Sequence, residues 1–306
     1  MSLRAARLIA LGLVLVAAAC SSGGGDSAND SGSGNDRRPE TKLIATAEER
    51  GSFSTPCPYS HSATDDPIVH HAMHGMSHRH DFFGATTTGS TSTAKTLLAG
   101  GTTCRSVADK TAYWAPSLLA AGKPLRPKEM SAYYRVPVGA DATQVEVPPK
   151  GLEMIAGNSE ATTAQAPAVS SWACGLSEAT SPVPLNCERS TFLLLRLTFD
   201  PCWDGEHLTS PDHRSHLAPL GDDGSCPDDH PVLIPELHVE IRYPVTPEGT
   251  PLSLASGPAT GGHGDALVAW DSDHIESEVD VCLRANRKCD VTSETTRLSV
   301  PTHPTS

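Results

Sequence analysis

Eight cysteines beyond residue 50 constrain the fold of this chain more than any other feature of its sequence. They are Cys57, Cys104, Cys174, Cys187, Cys202, Cys226, Cys282 and Cys289. No two of them form a Cys-x-x-Cys pair, which argues against a thiolate zinc cluster or a redox motif. An even number of cysteines in an exported chain predicts that all of them form disulfides. The number alone leaves the connectivity open. We predict sequential pairing. Within it, Cys174–Cys187 and Cys282–Cys289 are the best supported pairs, because the loops that they close are short.

The start of the chain predicts export. Arg4 and Arg7 precede an apolar run over residues 8–19, which is typical of a signal peptide at residues 1–19 and too short to span a bilayer as a stable helix. Small residues before Cys20 resemble a bacterial lipobox, which predicts a lipid anchor on Cys20; the alternative is simple secretion with an incidental cysteine. The predicted location is extracytoplasmic, either anchored to the outer face of the cytoplasmic membrane or secreted.

Composition divides the rest of the chain. Residues 20–50 are rich in Gly, Ser, Asp and Asn at first and predict a disordered tether behind the lipidated cysteine. No internal repeat and no second break is visible, so residues 51–300 are predicted to form a single domain and residues 301–306 a tail.

The fold class follows from short apolar segments separated by turn residues. The chain has 25 Gly and 25 Pro, which suits many short strands better than a helical bundle. We predict strands near residues 133–136, 145–147, 151–157, 191–199 and 237–243. One helix is predicted after the capping residue Asp271. The predicted fold is mainly β, a disulfide-braced, β-sandwich-like domain with long loops and few helices. In the strand at 237–243, His238 falls on the polar face and is predicted to be solvated.

The charge excludes one class of partner. The formal net charge is −13 and no basic stripe is visible, which argues against nucleic-acid binding through phosphates. The sequence also contains no Gly-x-Ser-x-Gly elbow, no phosphate-binding glycine loop and no His-Glu-x-x-His helix. Serine hydrolases, nucleotide enzymes and zincins therefore lose their usual sequence support.

Three histidine-containing segments are the candidates for a polar site. His78 and His80 are two residues apart, so an extended chain would direct both imidazoles at one target. His213 and His216 are three apart and would meet on one turn, while His263 and Asp265 flank Gly264. We predict that these segments converge in space. The alternative for each is a polar loop whose side chains cap turns and bond to backbone.

The residue types suggest which metal such a site would hold. A histidine-only set (His78, His80, His213 and His216) suits zinc or copper, and clustered carboxylates that would favour calcium are lacking. The neighbouring imidazoles and thioethers would suit Cu(I), or they could chelate metals without an evolved role; they are His70, His71, Met73, His74 and Met76.

A set of motifs in fixed order gives the chain a resemblance to a known family. The motifs are Asp66-Pro67-Ile68-Val69, Ser77-His78-Arg79-His80-Asp81-Phe82-Phe83-Gly84, Thr103-Cys104, Tyr113-Trp114-Ala115-Pro116, Tyr133-Tyr134-Arg135, Gly151-Leu152-Glu153-Met154-Ile155-Ala156-Gly157, Cys202-Trp203-Asp204-Gly205, Asp212-His213-Arg214-Ser215-His216, Cys226-Pro227-Asp228-Asp229-His230-Pro231, His263-Gly264-Asp265 and Trp270-Asp271. Together they resemble the family called domain of unknown function nineteen ninety-six, of secreted fungal and actinobacterial proteins. The resemblance covers roughly residues 57–289.

The resemblance bears on the candidate site in two ways. Where this chain has His71-Ala72, the family pattern usually has Pro-Gly, and it has no histidine matching His70 or His74. The resemblance therefore supports His78, His80, His213, His216 and His263 and weakens the copper interpretation. Some fungal members resemble multidomain proteins with carbohydrate-binding modules, which implies polysaccharide as the substrate class by association.

These observations lead to one functional hypothesis and two rivals. We expect a carbohydrate-active surface protein, in which His78 and His80 are metal ligands or a base and its orienting group. His213 and His216 would complete the set, and His263 with Asp265 would position substrate or transfer protons. The first rival is a non-catalytic glycan- or metal-binding module of the cell surface, and the second is a structural protein. Three aromatic residues could stack on sugar rings or pack in the core, namely Tyr113, Trp114 and Trp203.

Overall fold

The computed structural model describes residues 42–291, and most of its regular structure is β-strand. The strands are β1 Ser52–Ala63, β2 His80–Gly84, β3 Ala112–Pro116, β4 Leu118–Ala120, β5 Lys123–Pro124, β6 Glu129–Arg135, β7 Glu153–Gly157, β8 Ser170–Cys174, β9 Leu193–Thr198, β10 Cys202–Trp203, β11 Leu217–Ala218, β12 Val232–Leu233, β13 Glu236–Tyr243, β14 Leu252–Leu254, β15 His263–Leu267 and β16 Lys288–Val291. The helices are α1 Ala94–Leu98, α2 Ser272–Glu278, a 3-10 turn at Ala142–Gln144 and a π-helical turn at Val279–Arg284.

Ten of the strands form one nearly closed sheet in the order β7-β15-β3-β2-β1-β6-β13-β9-β8, with β16 pairing in parallel with β1. Two smaller sheets have the orders β11-β10-β12 and β14-β4-β5. Four disulfides pair consecutive cysteines, namely Cys57–Cys104, Cys174–Cys187, Cys202–Cys226 and Cys282–Cys289. The prediction of a mainly β, disulfide-braced fold with few helices and sequential pairing is confirmed. Four disulfides also fit an extracellular protein, because such bonds persist in oxidising compartments.

The strands with the clearest sequence pattern form where expected. In β13, buried and half-buried residues alternate along all eight positions, and β9 lies beside it as a largely buried strand. Helix α2 begins after Asp271, whose side chain accepts a hydrogen bond from the backbone N–H of His274 at 3.1 Å. These elements confirm the corresponding predictions, since alternation and capping act over a few neighbouring residues.

Two local predictions are wrong. Residues 145–147 form no strand; instead the N–H of Glu146 donates to the carbonyl of Leu233 in an irregular segment. His238 is not solvated, because its side chain is only 14% exposed and its Nδ1 lies 2.9 Å from Thr198 Oγ1 on the neighbouring strand. Burial lowers the pKa of His238 below its ordinary value. A polar sheet face can therefore be covered by its own side chains.

The long strand β1 could not be expected from its sequence because it contains Pro56 and Pro58. Both prolines pair with β6, opposite Ser131 and Glu129 respectively. Their carbonyl groups accept hydrogen bonds from the N–H of Arg105 and the hydroxyl of Thr103, so this side of β1 faces a loop. The missing proline N–H groups therefore cost no bond to β6.

The main sheet separates two apolar clusters. The larger contains Phe83, Tyr113 and Ala115, whereas the smaller contains the alternate residues Phe82 and Trp114. Successive side chains of a strand point to opposite faces, so β2 and β3 each contribute to both clusters. Among residues 42–291, no helix is long and apolar enough to cross a membrane.

Candidate functional site

Three histidines from two strands and the preceding loop meet on one side of the main sheet. One nitrogen atom from each of His78, His80 and His263 can be chosen so that all three atoms lie within 4.8 Å of one another. The ring centroids of His78 and His80 are 4.2 Å apart, and His263 lies 5.2 Å from His78. Residues separated by 183 positions in the chain are thus in contact around one point.

The pairing of the strands explains this convergence. His80 in β2 is opposite Pro116 in β3, and Phe82 is opposite Trp114. Trp114 is in turn opposite Asp265 in β15. Cross-strand neighbours share a face, as do residues two apart, so His80, His263 and Asp265 all lie on the side of the smaller apolar cluster. The histidines therefore stand on the face opposite the main core.

Backbone carbonyl groups orient two of the imidazoles. Nδ1 of His80 lies 3.0 Å from the carbonyl oxygen of Asp65, and Nδ1 of His263 lies 2.8 Å from that of Gly261. A carbonyl oxygen can only accept, so each Nδ1 carries the hydrogen and each neutral ring keeps a lone pair on Nε2. Nε2 of His80 is buried and has no hydrogen-bond partner in the described part of the chain, and the same holds for Nε2 of His78.

Burial keeps these imidazoles neutral. It lowers the pKa of His80 well below its ordinary value, and the neighbouring His78 lowers it further. Burial also lowers the pKa of His263 to about 4 and that of His78 below its usual range. Neutral imidazole is the form that binds metal ions. The arrangement can therefore present three imidazole nitrogens to one ion without first losing a proton at neutral pH.

The cluster opens into a polar cleft of about 490 Å³. His78 and His263 line the cleft, whereas His80 is fully buried behind them. The other titratable side chains that line it are Asp66, His70, Glu160, Asp212, His213, Arg214 and Asp265. An ion held by the three histidines would consequently face open space on one side.

Asp265 is the most deeply buried acid of this cleft. It is 3% exposed, and its Oδ2 has no hydrogen-bond partner among residues 42–291. Burial raises the pKa of Asp265 well above its ordinary value, the neighbouring Asp66 carboxylate adds to this, and Arg214 opposes it. Burial raises the pKa of Asp66 as well, although two backbone N–H groups donate to its Oδ1. A carboxyl group of this kind can exchange protons with a substrate.

The two histidines of the third segment have different surroundings. His213 lines the cleft, with its side chain 30% exposed. His216 lies outside the cluster and is 1% exposed; its Nδ1 lies 3.0 Å from Ser210 Oγ and its Nε2 2.7 Å from the carbonyl oxygen of Glu153. Both ring nitrogens of His216 are thus occupied, and the geometry does not bring it to the other histidines.

Of the five His and Met residues between positions 70 and 76, only His70 lines the cleft. Nδ1 of His74 lies 2.8 Å from a carboxylate oxygen of Asp65, the residue whose carbonyl group orients His80. Met73 and Met76 are exposed. Asp65 was missed by the sequence analysis, although it precedes the motif that starts at Asp66; nothing in the sequence reveals that its backbone is the functional part.

The aromatic candidates belong to the core. Tyr113 and Trp114 are each 2% exposed, so neither offers a face to a sugar ring. Trp203 is half-buried, and its Nε1 donates to the carbonyl oxygen of His207 at 2.7 Å. Tyr113 and Trp114 therefore pack in the core and do not stack on a sugar ring.

Comparison with known proteins gives one match. A family model described as a domain of unknown function (DUF1996) matches residues 66–270, which is more than half of the chain. The matched region contains the three clustered histidines and the residues that line the cleft. No curated protein and no solved structure gives a significant match.

Proposed function

Because the chain belongs to the DUF1996 family and carries three convergent histidines, we propose that it is an extracytoplasmic protein that binds a zinc or copper ion through His78, His80 and His263 and acts on polysaccharide in the adjoining cleft. The observation that carries this proposal is the pair of oriented imidazoles, His80 and His263, with half-buried His78 beside them. A ligating histidine usually donates its second nitrogen to a carbonyl or carboxylate oxygen.

The chemistry of the site favours a catalytic ion over a structural one. Structural zinc has four protein ligands, whereas catalytic zinc has three and an open position. The three imidazoles beside an open cleft fit the second pattern. A bound ion would activate water or polarise a substrate oxygen as a Lewis acid. Asp265, with its raised pKa and unpartnered Oδ2, is suited to proton transfer to the substrate.

The substrate class is the less direct part of the proposal. Polysaccharide is supported by the domain company of the family and by a cleft lined with carboxylate, imidazole, amide and hydroxyl groups. None of the residues that line this described cleft is Trp, Tyr or Phe. A non-catalytic glycan module would be expected to offer a flat aromatic face, so the cleft favours the enzyme over the binding module.

The cellular location completes the proposal. We infer that Cys20 carries a lipid and that the segment between Cys20 and the domain holds the domain outside the cytoplasmic membrane. The signal-like start supports this, and so do the four disulfides. This tether is shorter than the predicted residues 20–50, because Ala45 is 2% exposed in the main core and its N–H donates to the carbonyl oxygen of Ala140. Residues 1–41 and 292–306, including Cys20 and the predicted signal peptide and tail, lie outside the described residues. Metabolic labelling with a radioactive fatty acid, compared with a Cys20→Ala variant, tests the anchor directly.

Elemental analysis tests the metal site. The purified protein is dialysed against zinc or copper, and the metal content is compared with that of a His78→Ala/His80→Ala double variant. We expect about one ion per chain in the wild type and at least about 100-fold weaker binding in the variant, because the loss of ligands exceeds that of outer-shell groups. His207→Ala removes a histidine whose side chain is 59% exposed and is the matched control. Equal metal content in all three proteins would contradict the proposed site.

Release of reducing ends from soluble polysaccharides tests the activity. The wild type should cleave at least one polymer of a panel, and the double variant should cleave none. Binding of a polymer without cleavage would favour the non-catalytic module. A variant with a lower melting temperature but unchanged metal and polymer binding would favour the structural role.

A further inference from the structure

The loop that carries His213 is fixed by an unusual number of hydrogen bonds around one carboxylate. Oδ1 of Asp212 accepts from the hydroxyl of Ser210 at 2.7 Å and from the backbone N–H of Arg214 at 3.1 Å. It also accepts from the backbone N–H and the hydroxyl of Ser215, at 2.9 and 2.8 Å. The side chain of Asp212 thus organises residues on both sides of His213.

Two further side chains attach this loop to the strand β7, at the edge of the main sheet. Nη2 of Arg214 donates to the carbonyl oxygen of Gly157 at 2.7 Å. His216 bridges the hydroxyl of Ser210 and the carbonyl oxygen of Glu153. The loop is therefore held at both ends of β7, and β7 pairs with β15, the strand of His263.

Within this rigid loop His213 adopts a backbone conformation that L-residues avoid. Its φ is 58°, in the left-handed region. Such strain persists only where the surrounding structure enforces it, and it recurs at functional sites. Here the result is that the imidazole lines the cleft together with His78 and His263. Its Nδ1 lies 3.2 Å from Thr209 Oγ1, and Nε2 has no hydrogen-bond partner within residues 42–291.

We propose that His213, which is not among the three clustered histidines, is not a metal ligand but the residue that contacts a hydroxylated substrate in the same cleft. This inference rests on the proposed function. It assigns the ion to the three clustered histidines and the substrate contact to His213. The imidazole meets the substrate through its unpartnered Nε2, which donates to or accepts from a sugar hydroxyl. Asp212, Arg214 and His216 act as positioning residues, because they hold the loop and leave the contact to His213.

The test uses the cobalt-loaded protein, whose visible spectrum reports the ligands of the ion. Two probes carry the same metal-binding head: gluconohydroxamic acid has a polyhydroxylated tail, and acetohydroxamic acid has none. We expect His213→Gly to weaken gluconohydroxamic acid binding by about tenfold, since one hydrogen bond is lost, and to leave acetohydroxamic acid binding unchanged. The cobalt spectrum without either probe should also stay unchanged. Glycine accepts the left-handed backbone, so the melting temperature should be equal or higher.

A matched control separates the backbone effect from the side-chain effect. Ala121 has a φ of 48° outside the cleft, so Ala121→Gly makes the same backbone change without touching the site. It should raise the melting temperature and leave both affinities unchanged. Equal binding of gluconohydroxamic acid by wild type and His213→Gly overturns this inference while the metal site stands. Failure of the wild type to bind cobalt overturns the metal site itself, and this inference with it.

Discussion

Single buried residues decide how the interior of this protein responds to pH. A chain of hydrogen bonds runs through the main core: the indole N–H of Trp270 donates to Tyr134, whose hydroxyl lies 2.7 Å from that of Tyr113. The Tyr113 hydroxyl donates to Asp109 Oδ2 at 2.9 Å. Burial raises the pKa of Asp109 to about 7, despite the hydrogen bonds that favour its charged form. The buried surroundings therefore favour the protonated, neutral form of Asp109.

This arrangement predicts a pH-dependent stability that Asp109→Asn removes. Between about pH 4 and pH 7 the unfolded carboxyl group is ionised and the folded one is still protonated, so rising pH favours unfolding. Asp109 should lower the free energy of unfolding by about 1.4 kcal/mol per pH unit across that window and add no further change above it. Urea denaturation at several pH values, compared between wild type and Asp109→Asn, measures the difference.

Asp222→Asn is the control for this comparison, because it makes the same chemical change at an exposed position. Its pH profile should follow that of the wild type. Parallel profiles for wild type and Asp109→Asn would contradict the prediction.

At the residue scale, the sequence could identify the ligand candidates but not their individual roles. Spacing along an extended chain predicts that His78 and His80 share a face, and the structure brings them together. The third imidazole of the cluster belongs to His263, for which a substrate or proton-transfer role is predicted, and not to His213 or His216. The separation of His213 from His216 depends on which backbone groups lie opposite each ring, and those come from distant segments such as Glu153. The role of the Asp65 carbonyl group in orienting His80 could not be predicted either. Every residue has a carbonyl group, and only the fold determines which one lies beside His80.

At the scale of elements, the edge pair β7–β15 connects the fold to the histidine cluster. Gly157 ends β7 with a φ of 74° and lies opposite His263. A Cβ atom at position 157 would lie 2.3 Å from the carbonyl oxygen of Gly262. The close approach of these two strand ends therefore requires glycine, and it sets the position of His263.

Gly157→Ala should consequently destabilise the protein much more than the same change at a glycine with a similar φ. Gly122 has a φ of 75°, and a Cβ atom added there would meet no other atom within 4 Å, so Gly122→Ala should lower the free energy of unfolding by only about 1–2 kcal/mol. For Gly157→Ala we expect about 3 kcal/mol or more, because a steric clash adds to the backbone cost. Chemical denaturation measures both, and equal losses would show that the strand ends can separate without penalty.

Strands and helices could be predicted where the sequence pattern that determines them spans a few neighbouring residues. The prediction failed where pairing with a distant segment determines the structure. The alternation of β13 and the capping residue of α2 act over a few positions, and both were recovered. Strand β1 contains two prolines that are tolerated because the edge of β1 on which they lack N–H groups faces a loop, while β6 pairs with the other edge. The opposite error occurred at residues 145–147, where Val145 and Val147 alternate with Glu146 but the segment forms no strand, although the Glu146 N–H donates to Leu233.

For the whole molecule, the disulfides connect chain segments of very different length. Cys57 and Cys104 are 47 residues apart and join β1 to the loop before β3, whereas Cys282 and Cys289 are 7 residues apart. The entropy that a crosslink removes from the unfolded chain grows with loop length. The first bridge should therefore contribute more to stability than the last.

Replacement of each pair by alanine tests this expectation. Loss of Cys57–Cys104 should lower the free energy of unfolding by about 4 kcal/mol, and loss of Cys282–Cys289 by about 2 kcal/mol, at 25 °C. Guanidinium denaturation of the two double variants gives the comparison, with the wild type as reference. A larger loss from the short loop would contradict the entropic explanation.

The position of the histidines on the far side of the main sheet has a consequence for experiments that measure only folding. Alternate side chains of β2 and β3 point to opposite faces of the sheet and belong to different clusters. Substitutions on one face can therefore leave the packing on the other face unchanged. Replacement of His78, His80 and His263 would leave the larger cluster unchanged. Correct folding and high expression are therefore no test of the proposed metal site.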